Sequence, residues 1–438
     1  TSSRRLVVHS VFNRCSTVSK RLQNKYKTII HQNNLSKKTQ LLTVLGSNLN
    51  FNPYLCPNKK QVMQENTFHH IRHHLHQHPE LSGRESNTAR FIEEQLQPFA
   101  PTKIIRHVGG HGLLAEYFFS ENGQTLLFRA DMDAVTVQEP NELPYHSLIP
   151  GVAHKCGHDG HTTILLRFAR MLHDHPLQQG RVLLLFQPAE ENGSGSKAVL
   201  DTKILDYYAI DRVFALHNIP GAPPSAVLCK EGSFTCAVVS VSIALAGKTS
   251  HAAEPRNGIS PIPATLHIVE ELQRWNNTNI QSDDYFLATI VEIHVGEEAY
   301  GVSAGNSVIR ATLRAKTDHR LNEYTEKLKH LVIADCENTP GLQHEITWLE
   351  PFSANENDKQ AVATIKSAAL REGFNYVEVE NPFSWGEDFG LFTQRYKGAM
   401  FGLGAGENCP PLHSSHYDFP DELIETGARV FYSVASLP

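Results

Sequence analysis

His154-Lys155-Cys156-Gly157-His158-Asp159-Gly160-His161 is the stretch around which the rest of this chain reads. Three histidines and a cysteine, all able to bind metal, fall within it, beside two glycines that let the backbone turn sharply. Apolar residues at helical spacing follow (Ile164, Leu165, Phe168, Leu172), so Cys156 and His158 are expected at a helix N-terminus. There the macrodipole and unpaired N–H groups lower a thiol's pKa. A cysteine and a histidine two residues apart can point at one ion, or share one ion of a pair. By itself the stretch also suits a helix cap with a buried cysteine.

The flanking chain argues against that plainer reading. Thr125–Phe128 is apolar and runs into Arg129-Ala130-Asp131-Met132-Asp133. Arg181–Phe186 runs into Gln187-Pro188-Ala189-Glu190-Glu191, and Asp211–Leu216 into His217-Asn218. Continuous apolar strands alternating with helices imply an α/β fold: a mixed, mostly parallel sheet with helices on both faces. In such sheets ligands gather at the carboxyl ends of the strands. Asp131, Asp133, Glu190, Glu191 and His217 should therefore converge on one edge, joined by Cys156 and His158. Carboxylates massed there repel one another, and divalent cations are the usual remedy.

From Ala237 the texture changes to alternating strands. The order β-α-β-β-α-β predicts an inserted α+β, ferredoxin-like domain over 237–349. The first domain is then read as 65–236 and 350–438. Near its start a helical pattern carries His69, His70, His73, His74, His76 and His78. The pair His69/His73 has chelating spacing, but a surface helix rich in neutral histidine explains it without chemistry.

At 438 residues, 40% hydrophobic and 20% charged, the chain has the composition of a soluble globular protein with room for two domains. No apolar run approaches the roughly 18 residues of a membrane span. Seven cysteines without a C-x-x-C pair fit a reducing, cytoplasmic setting rather than a disulfide framework. Residues 1–62 hold 11 Lys/Arg and no Asp/Glu, which leaves 29 basic against 46 acidic residues, or −17, in the remainder. That acidic body disfavours nucleic acid. Residues 1–64, with the first methionine at Met63, are read as a basic non-globular extension; an organelle-targeting segment is the alternative.

Several ordered motifs carry a resemblance. They are Leu75-His76-Gln77-His78-Pro79-Glu80, Arg129–Asp133, His154–His161, Gln187–Glu191, Ser250-His251-Ala252-Ala253-Glu254-Pro255, Glu387-Asp388-Phe389 and Leu412–Phe419. Over roughly 66–436 the chain resembles the M20 family of dinuclear metallohydrolases, in the branch of hippurate hydrolases, N-acyl-amino-acid amidohydrolases and auxin-conjugate hydrolases. The resemblance implies that Cys156 bridges two metals, that His158 and His217 complete one ion's shell, and that Glu191 and His413 complete the other's. Zinc or manganese would suit these ligands best, with cobalt or nickel next. Glu190 would be general base and acid for a metal-activated water. Asp133 would orient His158 or another ligand, with a helix or turn cap as the alternative, and Asp131 stands where other branches have a metal-binding histidine. His251, in the inserted lid, would stabilise an oxyanion, in some relatives from a partner subunit; a homodimer through the lid accords with that. Asn306 and Arg314 resemble positions that hold a substrate carboxylate. Two departures bear on this: Asn306-Ser307-Val308-Ile309 replaces Asn-Val-Ile-Pro with a shorter spacing to Arg314, and Val135-Thr136-Val137 replaces Leu-Pro-Ile. Glu387 and Asp388 match a family motif, and as residues they read as helix N-terminal acids. The implied activity is amide hydrolysis of N-acyl amino acids. A dipeptidase or metallocarboxypeptidase on the same site is the near alternative. A catalytically silent metabolite-binding relative is the non-enzyme one, and it should have lost a ligand or Glu190.

Overall fold

Every residue of Thr125–Asp131 is buried, which a strand achieves only when both faces are covered. Leu126, Phe128 and Ala130 enter one core and Leu127 the other, so the unbroken apolar run is two alternating faces read together. The computed structural model describes residues 59–140 and 142–437, with side chains from Thr67 onward. Residues 1–58, and with them most of the basic extension, lie outside the described residues. The first element, α1 (Lys59–Gln77), begins within the stretch read as non-globular.

The first domain is built on α1, α2 (Ser86–Leu96), β1 (Lys103–Val108), β2 (Gly112–Phe118), β3 (Thr125–Asp131), α3 (His158–Asp174), β4 (Arg181–Gln187) and α4 (Gly195–Asp201). It continues with β5 (Arg212–Pro220), β6 (Val227–Cys229) and β7 (Gly232–Thr235). After an insertion come β12 (Asn355–Asn357), α7 (Lys359–Arg371), β13 (Tyr376–Glu378), α8 (Gly390–Arg395), β14 (Gly398–Gly406) and α9 (Glu422–Ser436). Eight of these strands form one mixed sheet in the order β1-β2-β4-β3-β5-β14-β6-β13. Its centre, β4-β3-β5-β14, is parallel. Residues of α1, α2, α3, α7 and α9 cover one face, and residues of α4 and α8 the other.

The insertion has β8 (Ala237–Ala246), α5 (Ile262–Arg274), β9 (Phe286–Val295), β10 (Asn306–Ala315), α6 (Asp318–Glu337) and β11 (Gln343–Phe352). Its antiparallel sheet runs β11-β8-β10-β9, the ferredoxin-like order. Val239, Val241, Ile243 and Leu245 alternate into its core, as expected of a sheet with one covered face.

One expectation is corrected in α1. His76 lies fully buried rather than on a surface, bonded to Asp159 at 2.8 Å and Glu139 at 2.9 Å. Burial lowers its proton affinity, but those two carboxylates push it up to about 9, so it is a charged structural group. The His69/His73 pair serves structure too. His73 lies 2.8 Å from Asp421 and stacks on Tyr145, and His69 is 3.8 Å from the same carboxylate.

Candidate metal centre

Parallel register brings the carboxyl ends of β3 and β4 level, with Asp131 beside Gln187, and β5 runs parallel on the other side of β3 and on to Pro220. The segments that leave β3 and β4 therefore carry Asp133, Glu190 and Glu191 to the edge where His217, inside β5, also stands. Cys156 reaches the same place because Gly157, at φ 97°, turns the chain just ahead of α3. A Cβ there would also come 2.5 Å from the Asn218 carboxamide, so glycine is required twice over.

Both buried histidines have their tautomer set by an acceptor. His158 Nδ1 lies 3.0 Å from the Asp133 carbonyl oxygen and 3.3 Å from its carboxylate. His217 Nδ1 lies 2.9 Å from the Asn218 carbonyl oxygen. A carbonyl only accepts, so each Nδ1 carries a proton; His217 Nε2 presents a lone pair, and His158 Nε2 does so once a cation displaces its second proton. His217 Nε2 is 3.5 Å from Cys156 Sγ. Among the described residues His158 Nε2 is buried without a hydrogen-bond partner, 3.6 Å from Glu191, 3.7 Å from Asp131 and 3.8 Å from Glu190. On the other side, His413 Nε2 is 3.5 Å from Glu191 Oε2, and Glu191 Oε1 likewise has no hydrogen-bond partner among the described residues. Ligands bound to one tetrahedral ion at about 2.0–2.3 Å lie roughly 3.3–3.8 Å apart, the spacing found here. Two trios, Cys156/His158/His217 and Cys156/Glu191/His413, have their donor atoms within 4.8 Å of one another, and Cys156 belongs to both. One thiol, three imidazoles and a carboxylate fit a borderline divalent transition ion better than magnesium or calcium.

The electrostatics call for positive charge. Burial, then Glu191, Glu190 and Asp131, push the Cys156 thiol well above its ordinary value. This reverses the expectation that the helix N-terminus would lower it. A dipole worth about 0.3–1 kcal/mol loses to desolvation beside three carboxylates. Burial also raises Glu190, helped by Glu387 and Glu191. Against burial, Asp131, Asp133 and Glu191 push His158 up to about 10. Burial and the neighbouring His161 lower His217 well below its ordinary value, so it stays neutral. A divalent cation inverts this pattern and favours thiolate, carboxylate and neutral imidazole together.

The surrounding residues hold the donors in place. Asp133 Oδ2 accepts the Glu191 N–H at 3.0 Å and the Ser82 hydroxyl at 2.7 Å. Arg129 is missing from the sequence-derived set. Its guanidinium, fully buried, meets Asp131, Glu387 at 2.9 Å and Asp388 at 2.7 Å. Glu387 and Asp388 are thus chiefly partners of a buried cation rather than helix-end acids, although Glu387 also accepts the Phe389 N–H ahead of α8. The available signal was an arginine inside a wholly apolar strand, which demands countercharges.

Three sequence-derived residues are in neither donor trio. His251 is exposed on the loop after β8, its Nδ1 accepting the Ala253 N–H at 3.1 Å. Asn306 opens β10 and Arg314 lies near its end. Eight residues of strand span about 26 Å, so one protomer cannot bring both to one carboxylate. Arg314 donates to the Ser384 carbonyl at 2.9 Å, next to Trp385, whose ring centre is 5.0 Å from that of His217.

Comparison with known proteins agrees with this architecture. Residues 127–437 match the model of peptidase family M20/M25/M40. An N-acetylcysteine deacetylase of Bacillus subtilis is 28% identical over 383 residues, covering 85% of this chain and 98% of its own. A hippurate hydrolase of Campylobacter jejuni is 29% identical over 371 residues, 84% of this chain and 95% of its own. The crystal structure of the Bacillus subtilis YXEP protein, described as a dinuclear metal-binding peptidase of family M20, superposes with a TM-score of 0.73. It is 26% identical and covers 86% of this chain and 98% of that one. With a family model matched over most of the folded chain and this donor set at the strand ends, the protein belongs to the M20 family of metal-dependent hydrolases.

Proposed function

We propose that the protein is a dinuclear amidohydrolase that releases an amino acid from an N-acyl amino acid, hippurate-like conjugates among them. The observation that carries this reading is the thiol common to both donor trios, with the Glu190 carboxylate at their edge. The substrate class draws support from two relatives whose names each hold an acylated amino acid, N-acetylcysteine and hippurate. Cys156, His158 and His217 would hold one ion and Cys156, Glu191 and His413 the second, zinc or manganese before cobalt or nickel. When bound, the pair supplies an acidified water and polarises the scissile carbonyl. Glu190 takes the proton from the attacking water and delivers it to the leaving nitrogen. Asp133 keeps His158 in the donor tautomer and holds the Glu191 backbone.

The direct test is hydrolysis of N-acetyl-, N-benzoyl- and indoleacetyl-amino acids alongside dipeptides, by metal-depleted protein with zinc or manganese restored. Metal-dependent release of the amino acid from acyl conjugates is expected. Cleavage of dipeptides alone would move the protein to the peptidase reading. Two bound ions with no turnover of either class would point to a substrate outside this panel or to a binding protein.

The same proposal includes a second copy of the chain. β9 is a sheet edge, and Val291, Ile293 and Val295 along it are 66%, 48% and 37% exposed. An apolar strand edge is a template for pairing. His251 and Asn306 are exposed residues of the lid and belong to neither donor trio, so a partner's lid would be the source of the oxyanion donor. Ile293→Arg should yield monomers in sedimentation and lose activity at least about tenfold. Fully active monomers would exclude the shared site.

A further inference from the structure

The turn Pro188-Ala189-Glu190-Glu191 has to aim two adjacent carboxylates at different tasks. Ala189 stands at φ 54°, in the left-handed region that is sterically unfavourable for a residue with a Cβ. Its methyl group has no means of holding it there, so the restraint comes from other segments. The Ala189 N–H donates to Glu85 Oε1 at 2.8 Å, and its carbonyl accepts the Gly195 N–H at 2.9 Å. On the far side of Glu190, the Glu191 N–H is held by Asp133, which Ser82 fixes in turn. Glu85 and Ser82 belong to one segment. That segment is docked on the end of β3 by the Ala134 N–H, which donates to the Glu80 carbonyl at 2.9 Å.

Glu85 is an unusual residue for its place. It is completely buried and directly precedes α2, yet its side chain does not cap that helix. The Glu80 carboxylate does so instead, accepting the Asn87 and Thr88 N–H groups at 2.9 and 2.8 Å. Glu85 Oε1 takes the Gly83 and Ala189 N–H groups, while Oε2 has no hydrogen-bond partner among the described residues. No salt bridge to it is found among the described residues. Burial, with the nearby Asp133 charge, raises its proton affinity to about 6. A buried carboxyl group so placed costs stability that an apolar side chain would not, so its use has to be sought in what Oε1 holds.

We propose that Glu85 is a positioning residue: its Oε1 locks Ala189 in the left-handed conformation and thereby aims the Glu190 carboxylate. The proposal rests on Glu190 being the proton acceptor of the hydrolysis proposed above. It requires an accepting oxygen at the reach of a glutamate and does not require a charge. Glutamine keeps that oxygen, whereas aspartate keeps the charge and withdraws the oxygen by one methylene.

The order of variants is therefore the signature. Glu85→Gln should stay within about threefold of wild-type kcat. Glu85→Asp and Glu85→Ala should each lose about tenfold or more in kcat with KM nearly unchanged and two ions still bound, since misplacement of a reacting group is costly. Adding Ala189→Gly to Glu85→Asp should recover part of the loss, because glycine adopts the left-handed conformation freely. A crystal structure of Glu85→Ala, or of Glu85→Asp if the alanine variant does not fold, should show residue 189 leaving positive φ. Aspartate as active as glutamine, or Ala189 still left-handed in either structure, would overturn the assignment. If the wild-type protein cleaves no acyl amino acid, the kinetic arm fails with the functional reading, and the geometry at Ala189 still decides whether Glu85 is the lock.

Discussion

Glu190→Gln should lower kcat on N-acyl amino acids by about 10²–10⁴-fold, the usual worth of a general base, while both ions remain bound. The substitution removes one proton-accepting oxygen and almost no volume from a residue that is 5% exposed. Its neighbour Glu191 keeps its place in the donor set, so elemental analysis should be unchanged. KM should move little, because an interaction needed only as the water is deprotonated contributes little to ground-state binding. The variant should also melt no lower than wild type. Burial, Glu387 and Glu191 all disfavour the Glu190 carboxylate, and a neutral amide relieves them. A Glu190→Gln enzyme within tenfold of wild-type kcat would remove Glu190 from the mechanism. A variant that has lost its metals would show that Glu190 is a ligand.

Arg129→Leu should cost about 3–5 kcal/mol of stability, the penalty for breaking a buried ion pair from one side. The guanidinium is wholly buried and meets Asp131, Glu387 and Asp388, and its Nε donates to Gln187 at 2.9 Å. Without it, three buried carboxylates lose their common cation. Asp388 still accepts the Ser196 N–H at 2.8 Å, which cannot replace a full charge. Arg129→Lys should recover only part of the loss, because one ammonium cannot reach partners on several sides as a planar guanidinium does. Urea unfolding of metal-depleted protein measures this apart from ion binding. A loss below about 1 kcal/mol would mean that the carboxylates find other partners or water.

Much of the donor set was legible because each member closes a recognisable local pattern. A buried strand must be apolar on both faces, so the first polar residues after it mark where it emerges, and parallel neighbours emerge on one edge. That reasoning alone brought Asp131, Asp133, Glu190, Glu191, His217, Cys156 and His158 to one place. His413 follows no such strand and came from the family motif. The ferredoxin-like insertion was equally legible, since alternating strands and amphipathic helices repeat with their own periods.

Tertiary structure alone decided the rest. Arg129 and Asp388 are 259 residues apart, Glu85 and Ala189 are 104 apart, and no periodicity in either segment refers to the other. The direction of the Cys156 shift depended on summing desolvation and three neighbouring carboxylates, where the local helix end pointed the opposite way. Which nitrogen of His158 and His217 carries the proton rested on carbonyl acceptors that come into reach only when strand and helix ends meet. Asn306 and Arg314 looked like one clamp in sequence, and the length of an extended strand separates them. A side chain's own segment sets where it points, whereas its proton, charge and partners are set by everything folded around it.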